Sequence, residues 1–356
     1  MSDDLSSGPR GRRFCLGVLT AAQPEIWTLA ARAAEYPQDQ GLASELAGAL
    51  RSPASVSAAE SAGGRALLAG LTEAVDAARY WQQPDETDAL LAQPAIRLAL
   101  GPVADTLANS LAAWWGPGSL DRDRQCFVQW TDERIGQPPD PRGAARKLSD
   151  WKAAAMADER QAAERPENPD ANWGGWWWST PRPSELLTTT RSMPELGATG
   201  LLLVEDGLGW KQAAVWPLVT RPDSRVYEID GPAAWTWLAA RYPMDVSLSK
   251  RHDWWRTTGI AGPWLVPDWS AVAADYDGVH LTLWGYLTTA GLALAARPSA
   301  GPSVAVFERT VLAGWDPDET YWLNDVLTHG AAPSDWRIDG SGRWTGGRKS
   351  GDRRRT

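Results

Sequence analysis

The chain has 356 residues, of which 43% are hydrophobic and 22% charged, with a formal net charge of −9 at pH 7. That length predicts more than one core, and that apolar content predicts a globular chain rather than a disordered one. The acidic balance excludes a general nucleic-acid binder, which needs positive charge against phosphate. Two cysteines, Cys15 and Cys126, exclude a disulfide scaffold or a thiolate metal site, and no apolar run reaches the roughly 20 residues that span a bilayer.

The first segment, residues 1–12, reads as a disordered terminus. Arg12-Arg13 followed by Phe14-Cys15-Leu16 has the outline of a twin-arginine leader, but its apolar stretch is short and a helical pattern follows at once. A first strand over residues 13–20, in a cytoplasmic protein, is the expectation. Residues 13–135 then read as a mainly helical domain. Ile26, Leu29, Ala30 and Ala33 share one helical face, as do Leu67, Leu68, Leu71, Val75 and Ala78. Pro84-Asp85-Glu86 opens a further helix, and residues 94–115 add one or two more before Gly116-Pro117-Gly118. Residues 124–130 read as a strand that could pair with the one near residue 15.

Residues 136–171 read as a linker containing a long polar helix, whose apolar stripe is limited to Leu148, Trp151, Ala155 and Met156. Residues 172–330 change character, with strand patterns at 176–179, 199–205, 210–218, 225–229, 278–287 and 303–313. An apparent hairpin turn falls at Asp206-Gly207-Leu208-Gly209. Short helices at 232–242 and 269–276 follow Asp230 and Asp268 as candidate caps. Residues 331–356, rich in arginine at the end, read as a basic disordered tail. The predicted class is therefore α+β: a helical N-terminal half followed by a mixed, largely antiparallel sheet with short helices.

The aromatic composition is the strongest clue to function. There are 23 tryptophans against 7 tyrosines and 3 phenylalanines. Indole offers a large apolar face, a quadrupole that holds cations, and an N–H that needs a partner when buried. In a strand, Trp176, Trp177 and Trp178 would alternate between faces, so Trp176 and Trp178 are candidates for an indole-lined cleft, the alternative being core packing. Arg251 to Arg256 sets His252 and Trp254 among charges, where a ligand role competes with a structural one. His280 falls on the non-aliphatic side of a strand shared with Thr282, Trp284, Tyr286 and Thr288, a candidate pocket wall. Asp316, Asp318 and Glu319 lie between Trp315 and Trp322; Asp316 reads as a cap, and Glu319 is the candidate functional carboxylate. With three histidines and two cysteines, no metal site is expected.

Two resemblances follow from these residues. The run from Arg225-Val226-Tyr227-Glu228 through Pro267-Asp268-Trp269 to Gly314-Trp315-Asp316-Pro317 is similar to tryptophan-rich actinobacterial proteins without a known activity. More distantly, Arg225, Thr288-Thr289 and Glu319 occur in the order used by mono-ADP-ribosyltransferases. There an arginine orders NAD, hydroxyls on a strand brace the nicotinamide pocket, and a glutamate stabilises the ribosyl cation. The chain departs from that pattern in having Thr288-Thr289 at the centre and Pro317 two residues before Glu319. The resemblance implies NAD as cofactor and Glu319 as the catalytic carboxylate; His280, on its candidate pocket wall, is the second catalytic candidate. The reading of the residues alone gives no cofactor, and a protein that binds a small flat or cationic ligand, or a protein partner, through the indole cleft. Its ligand-binding candidates would be Trp176, Trp178, His252, Trp254, Tyr286 and Thr288, to which the resemblance adds Arg225 and Thr289. A structural or assembly role for the indoles is the third reading.

Overall fold

The computed structural model describes residues 4–116, 118–131, 137–182, 186–207, 209–298 and 307–349. Its helical part comprises α1 (Pro9–Ala22), α2 (Pro24–Glu35), α3 (Gln40–Leu50), α4 (Pro53–Glu60), α5 (Gly64–Asp76), α6 (Glu86–Leu91) and α7 (Pro94–Trp115). Proline at the first turn opens α1, α2, α4 and α7, where its missing N–H costs nothing. Asp39, Ser52 and Asp85 cap α3, α4 and α6 by accepting backbone N–H bonds.

α1 corrects two expectations at once. Residues 13–20 are helix, not strand, and Arg10 and Arg12, expected in a disordered terminus, are buried. The charges are internal because they are paired. Arg10 donates to Asp88 at 2.5 Å and to the Ala74 carbonyl at 2.8 Å, and Arg13 donates to Asp88 at 3.0 Å and to Asp85 at 2.5 Å. α1 also lies close against α5. A Cβ on Gly17 would come within 2.9 Å of the Gly70 Cα, so the paired glycines set that approach.

The sheet part begins within the expected helical domain, with β1 (Gln125–Trp130). It is followed by α8 (Ala144–Gln161), β2 (Thr188–Met193), β3 (Gly197–Ala198), β4 (Gln212–Thr220) and β5 (Val226–Ile229). Next come α9 (Pro232–Arg241), β6 (Pro243–Asp245), α10 (Arg251–Thr258), β7 (Leu265–Pro267), α11 (Trp269–Asp275), β8 (Gly278–Leu281) and α12 (Leu283–Thr289). The chain then runs through β9 (Leu294–Pro298), β10 (Phe307–Thr310), β11 (Glu319–Trp322), β12 (Leu327–His329), β13 (Ser334–Ile338) and β14 (Trp344–Lys349). The main sheet has the order β14-β13-β4-β1-β2-β11-β8-β5, antiparallel except for the β5–β8 pair. This is the α+β class read from the sequence.

Several local expectations are corrected. β1 pairs with β2 and β4 and not with the segment near residue 15, which is helical. Residues 176–179 form no strand, nor do residues 199–205, where a 3-10 turn (Thr199–Leu201) stands. Leu208 of the expected hairpin turn lies outside the described residues. The pattern at 278–287 splits into β8 and α12, because Thr282 caps a helix by accepting from the Gly285 N–H at 2.8 Å. Gly231 rather than Asp230 is the cap of α9, whereas Asp268 caps α11 as expected. In the expected tail, residues 334–338 and 344–349 form a β-hairpin that extends the sheet beyond β4; Arg353 to Arg355 lie outside the described residues.

One large cluster of buried residues joins helical and sheet parts, running from Leu5 to Leu323, beside two small ones around Cys126 and Val215 and around Leu218 and Trp322. Six indoles, Trp235, Trp254, Trp264, Trp269, Trp315 and Trp322, are almost completely buried in the molecule, so much of the tryptophan surplus is core. Among the described residues no helix is long and apolar enough to cross a membrane.

Candidate functional site

A cavity of about 540 Å³ opens on one face of the sheet. β1 and β2 form its floor through residues 126–130 and Thr188, Thr189 and Thr190. The walls are Gly200, the 204–206 segment and Trp210 on one side, and Trp177, Trp178, Gly314 and Asp316 on the other. Glu319, at the start of β11, reaches in beside β2. Registry explains that placement: Glu319 pairs with Thr190 on β2 and with Leu281 on β8, so it shares their face.

The indoles come in two stacks. Trp177 and Trp178 lie with ring centroids 4.3 Å apart and planes 18° from parallel; Trp130 and Trp210 lie 5.3 Å apart at 19°. Trp177 also packs on Trp81, at 4.9 Å, and on Tyr80, at 5.8 Å. Gly314, at φ +74°, is required beside them: a Cβ there would sit 2.1 Å from the Trp178 Cδ1.

Three carboxylates are tied together. Glu205 Oε1 accepts from the Tyr80 hydroxyl at 2.6 Å and the Tyr286 hydroxyl at 2.9 Å. The Glu205 N–H donates to Asp316 Oδ1 at 2.8 Å, and the Thr188 hydroxyl and the Asp316 backbone work against burial to hold the Glu319 carboxyl down. Burial pushes all three carboxyls up. Glu205 rises to about 8, with the Asp316 charge adding to burial. Glu319 rises to about 7, and Asp316 stands well above the usual carboxylate range, burial first and Glu319 second. Among the described residues, no group of three His, Cys, Asp or Glu side chains is arranged to hold a metal ion.

Of the residues singled out in the sequence, Glu319 and Trp178 line this cavity, and Tyr286 stands behind it as a partner of Glu205. The others lie elsewhere. Trp176 sits under the Arg182 guanidinium, 4.0 Å from its ring centroid, beside a separate crevice of about 20 Å³ that contains Lys250. His252 and Trp254 are buried on α10 and brace the 166–177 segment: His252 Nε2 lies 3.1 Å from the Pro166 carbonyl, and Trp254 Nε1 donates to the Trp177 carbonyl at 2.9 Å.

His280 is buried on the sheet face opposite Glu319, since it pairs with Thr320. Its Nδ1 lies 2.9 Å from the Thr320 hydroxyl and its Nε2 3.5 Å from Asp318, and burial lowers it to about 4. Asp318, at φ +60°, accepts from Arg191 at 3.0 Å on that same side. It is not part of the cavity wall. Arg225 is exposed, and its guanidinium donates to the Ala274 carbonyl at 3.4 Å. Thr288 and Thr289 are fully buried on helix α12, not on a strand, and Thr288 donates to the Trp284 carbonyl at 2.8 Å. The cavity that contains Glu319 therefore includes neither Arg225 nor the threonine pair.

The sequence reading missed Trp130, Trp210, Glu205 and Tyr80, and took Asp316 for a cap. Glu205 and Asp316 stand 111 positions apart, and Tyr80 and Glu205 stand 125 apart, so no spacing rule connects them. The one local signal was the position of Glu205 and Trp210 on either side of a glycine-bearing turn. Comparisons of the chain with protein-family models, with curated proteins and with solved structures return no match.

Proposed function

We propose that this cavity binds a small organic cation with a flat or apolar body. The observation that carries the reading is the composition of the wall. Among the described residues, four acidic ones, Glu205, Asp206, Asp316 and Glu319, and four indoles line it, and no described lysine, arginine or histidine does. Its volume of about 540 Å³ suits a single small ligand.

Burial favours the protonated carboxyls, and a cation beside them favours the ionised forms, so the binding energy rests on a charge that the protein alone does not satisfy. The indole faces add about 0.5–2 kcal/mol each where the cation is desolvated. A dinucleotide such as NAD brings a pyrophosphate, which this wall repels. The geometry thus favours the cation-binding reading over the transferase reading.

The test is titration of tryptophan emission with benzyltrimethylammonium, benzyl alcohol and NAD, checked by calorimetry. The cation is expected to quench saturably and to bind more tightly than the alcohol, with Trp178→Ala weakening it and NAD giving no saturable signal. Equal binding of the cation and the alcohol, or unchanged binding in Trp178→Ala, refutes the assignment.

A further inference from the structure

We infer that the ligand's cationic head is a primary ammonium whose N–H groups are shared between Asp206 and Asp316. The inference deepens the cation-binding reading of the same cavity and rests on it.

Two acidic side chains of the wall keep open acceptors. Asp206 is exposed, and its carboxylate makes no hydrogen bond or ion pair among the described residues. Asp316 bonds through Oδ1 alone, to the Glu205 N–H at 2.8 Å, and its Oδ2 is not among the enclosed atoms. Because Asp206 follows Glu205 directly in the chain, that bond brings the two carboxylates to one end of the cavity. There the Asp206 charge adds to the burial that raises the Asp316 carboxyl. The cation that acts on Asp206 is Arg79, whose guanidinium is exposed and donates instead to the Asp76 carbonyl at 2.9 Å. Behind the pair, Glu205 lines the same cavity, and its Oε2 is enclosed and has no hydrogen-bond partner. A buried acceptor that no protein donor meets is an independent sign that this end is completed by a positive charge from outside.

Asp206 offers two oxygens and Asp316 one, and a primary ammonium carries three donors to meet them. Hydrogen bonds between ionised partners are the strong ones, so the donors recover on the two carboxylates the hydration they lose on entry. A trimethylammonium group has no donor, and its methyl groups hold the charge away from the oxygens. The stacked pairs Trp177–Trp178 and Trp130–Trp210 receive the flat body of either compound. The indoles therefore choose the body of the ligand, and the two aspartates choose the N–H-bearing head.

Calorimetric titration of the full chain with benzylammonium and benzyltrimethylammonium at pH 7.5, where both are cations, reads this directly. A preference of at least about tenfold for benzylammonium is expected, the ratio that one net charge-assisted hydrogen bond supplies. Equal binding, or tighter binding of the trimethyl compound, overturns the inference while leaving the cation site standing. Binding of neither compound removes the parent reading and the inference with it. Two variants test the shared hold. In Asp316→Asn the Glu205 N–H keeps the side-chain oxygen, so the amide NH2 stands where Oδ2 stood and meets the ammonium with a donor. Asp206→Asn keeps the fold, because asparagine tolerates the φ of +56° at this exposed position, and it replaces a charged acceptor by a weaker neutral one. Both cations should weaken in each variant through the lost charge, benzylammonium by more, so the preference narrows. A ratio unchanged from wild type in either variant contradicts the inference.

Discussion

Replacing Glu205 with glutamine separates charge from shape at the centre of the site. A cation about 5 Å from the ionised carboxylate, at an effective dielectric of about 20, gains about 3.3 kcal/mol by Coulomb's law. The carboxyl titrates near 8, so at pH 7 ionising it first costs about 1.4 kcal/mol. The net loss on substitution is then about 2 kcal/mol at pH 7, about thirtyfold in Kd, rising to about 3.3 kcal/mol or about 250-fold at pH 9. Wild-type affinity should rise with pH and level off above the titration of Glu205. Glu205→Gln should level off earlier, with the titration of Glu319 near 7. Stability carries the opposite sign. An acid whose folded pKa is raised contributes stability that is present below the unfolded value and is lost as pH rises through the folded one. Wild type should therefore lose stability between about pH 4.5 and 8 more steeply than the variant. Calorimetry with benzyltrimethylammonium at pH 6, 7, 8 and 9, with urea midpoints at the same values, measures both. A wild-type to variant affinity ratio that stays flat or shrinks with pH refutes the charge argument.

Tyr80→Phe removes the 2.6 Å donor to Glu205 and should raise the pH at which binding develops, weakening affinity at pH 7 by up to about tenfold; the pH series of Kd checks it. Gly314→Ala places a methyl 2.1 Å from Trp178 at a positive φ, so cation affinity should fall even where the protein still folds, read by titration beside a melting curve. Gly285→Ala drives a Cβ to 2.0 Å from the Ile229 carbonyl and should cost about 1–3 kcal/mol in a urea titration. Asp318→Ala strips the carboxylate from the buried Arg191 guanidinium at a cost of about 3–5 kcal/mol; because it lies on the other sheet face, the folded fraction should keep its cation affinity.

The sequence made the class of the fold legible but not the placement of its charges. Helices α2, α5 and α7 were readable because their apolar residues recur at helical spacing, and α2 and α7 also open on proline. α1 was not. Arg10 and Arg13 look like solvent-facing charges until Asp85 and Asp88, more than 70 residues later, close around them. The tail fails for a related reason: β13 owes its order to pairing with β4, which lies more than 100 positions earlier, and β14 to pairing with β13. In the site, Glu319 and Trp178 stood out locally, but the partner that gives Glu319 its meaning, Glu205, is brought in by tertiary packing alone. Tyr286 was read as a strand residue on a pocket wall, whereas a capped helix carries its hydroxyl to the back of Glu205.

For Trp254, Trp269 and Trp315, though not for Trp235 and Trp264, whose buried N–H groups find no hydrogen-bond partner among the described residues, the choice of tryptophan over phenylalanine has a physical reason. Trp254 and Trp269 are buried, yet their N–H groups donate to the Trp177 and Ser179 carbonyls, at 2.9 Å and 3.1 Å. Trp315 likewise donates to the Glu319 carbonyl at 3.2 Å, closing the turn that presents Asp316. Residues 176–179 belong to no strand, so their backbone groups lack ladder partners, and buried indoles supply donors where phenylalanine would leave carbonyls unsatisfied. One residue type thus fills the core and fixes two of the segments that form the cavity wall. Trp269→Phe separates these roles: it keeps most of the buried apolar area and deletes one donor. A stability loss of about 1 kcal/mol accompanied by weaker cation binding shows the indole holding the wall. The same loss with unchanged binding makes it packing only.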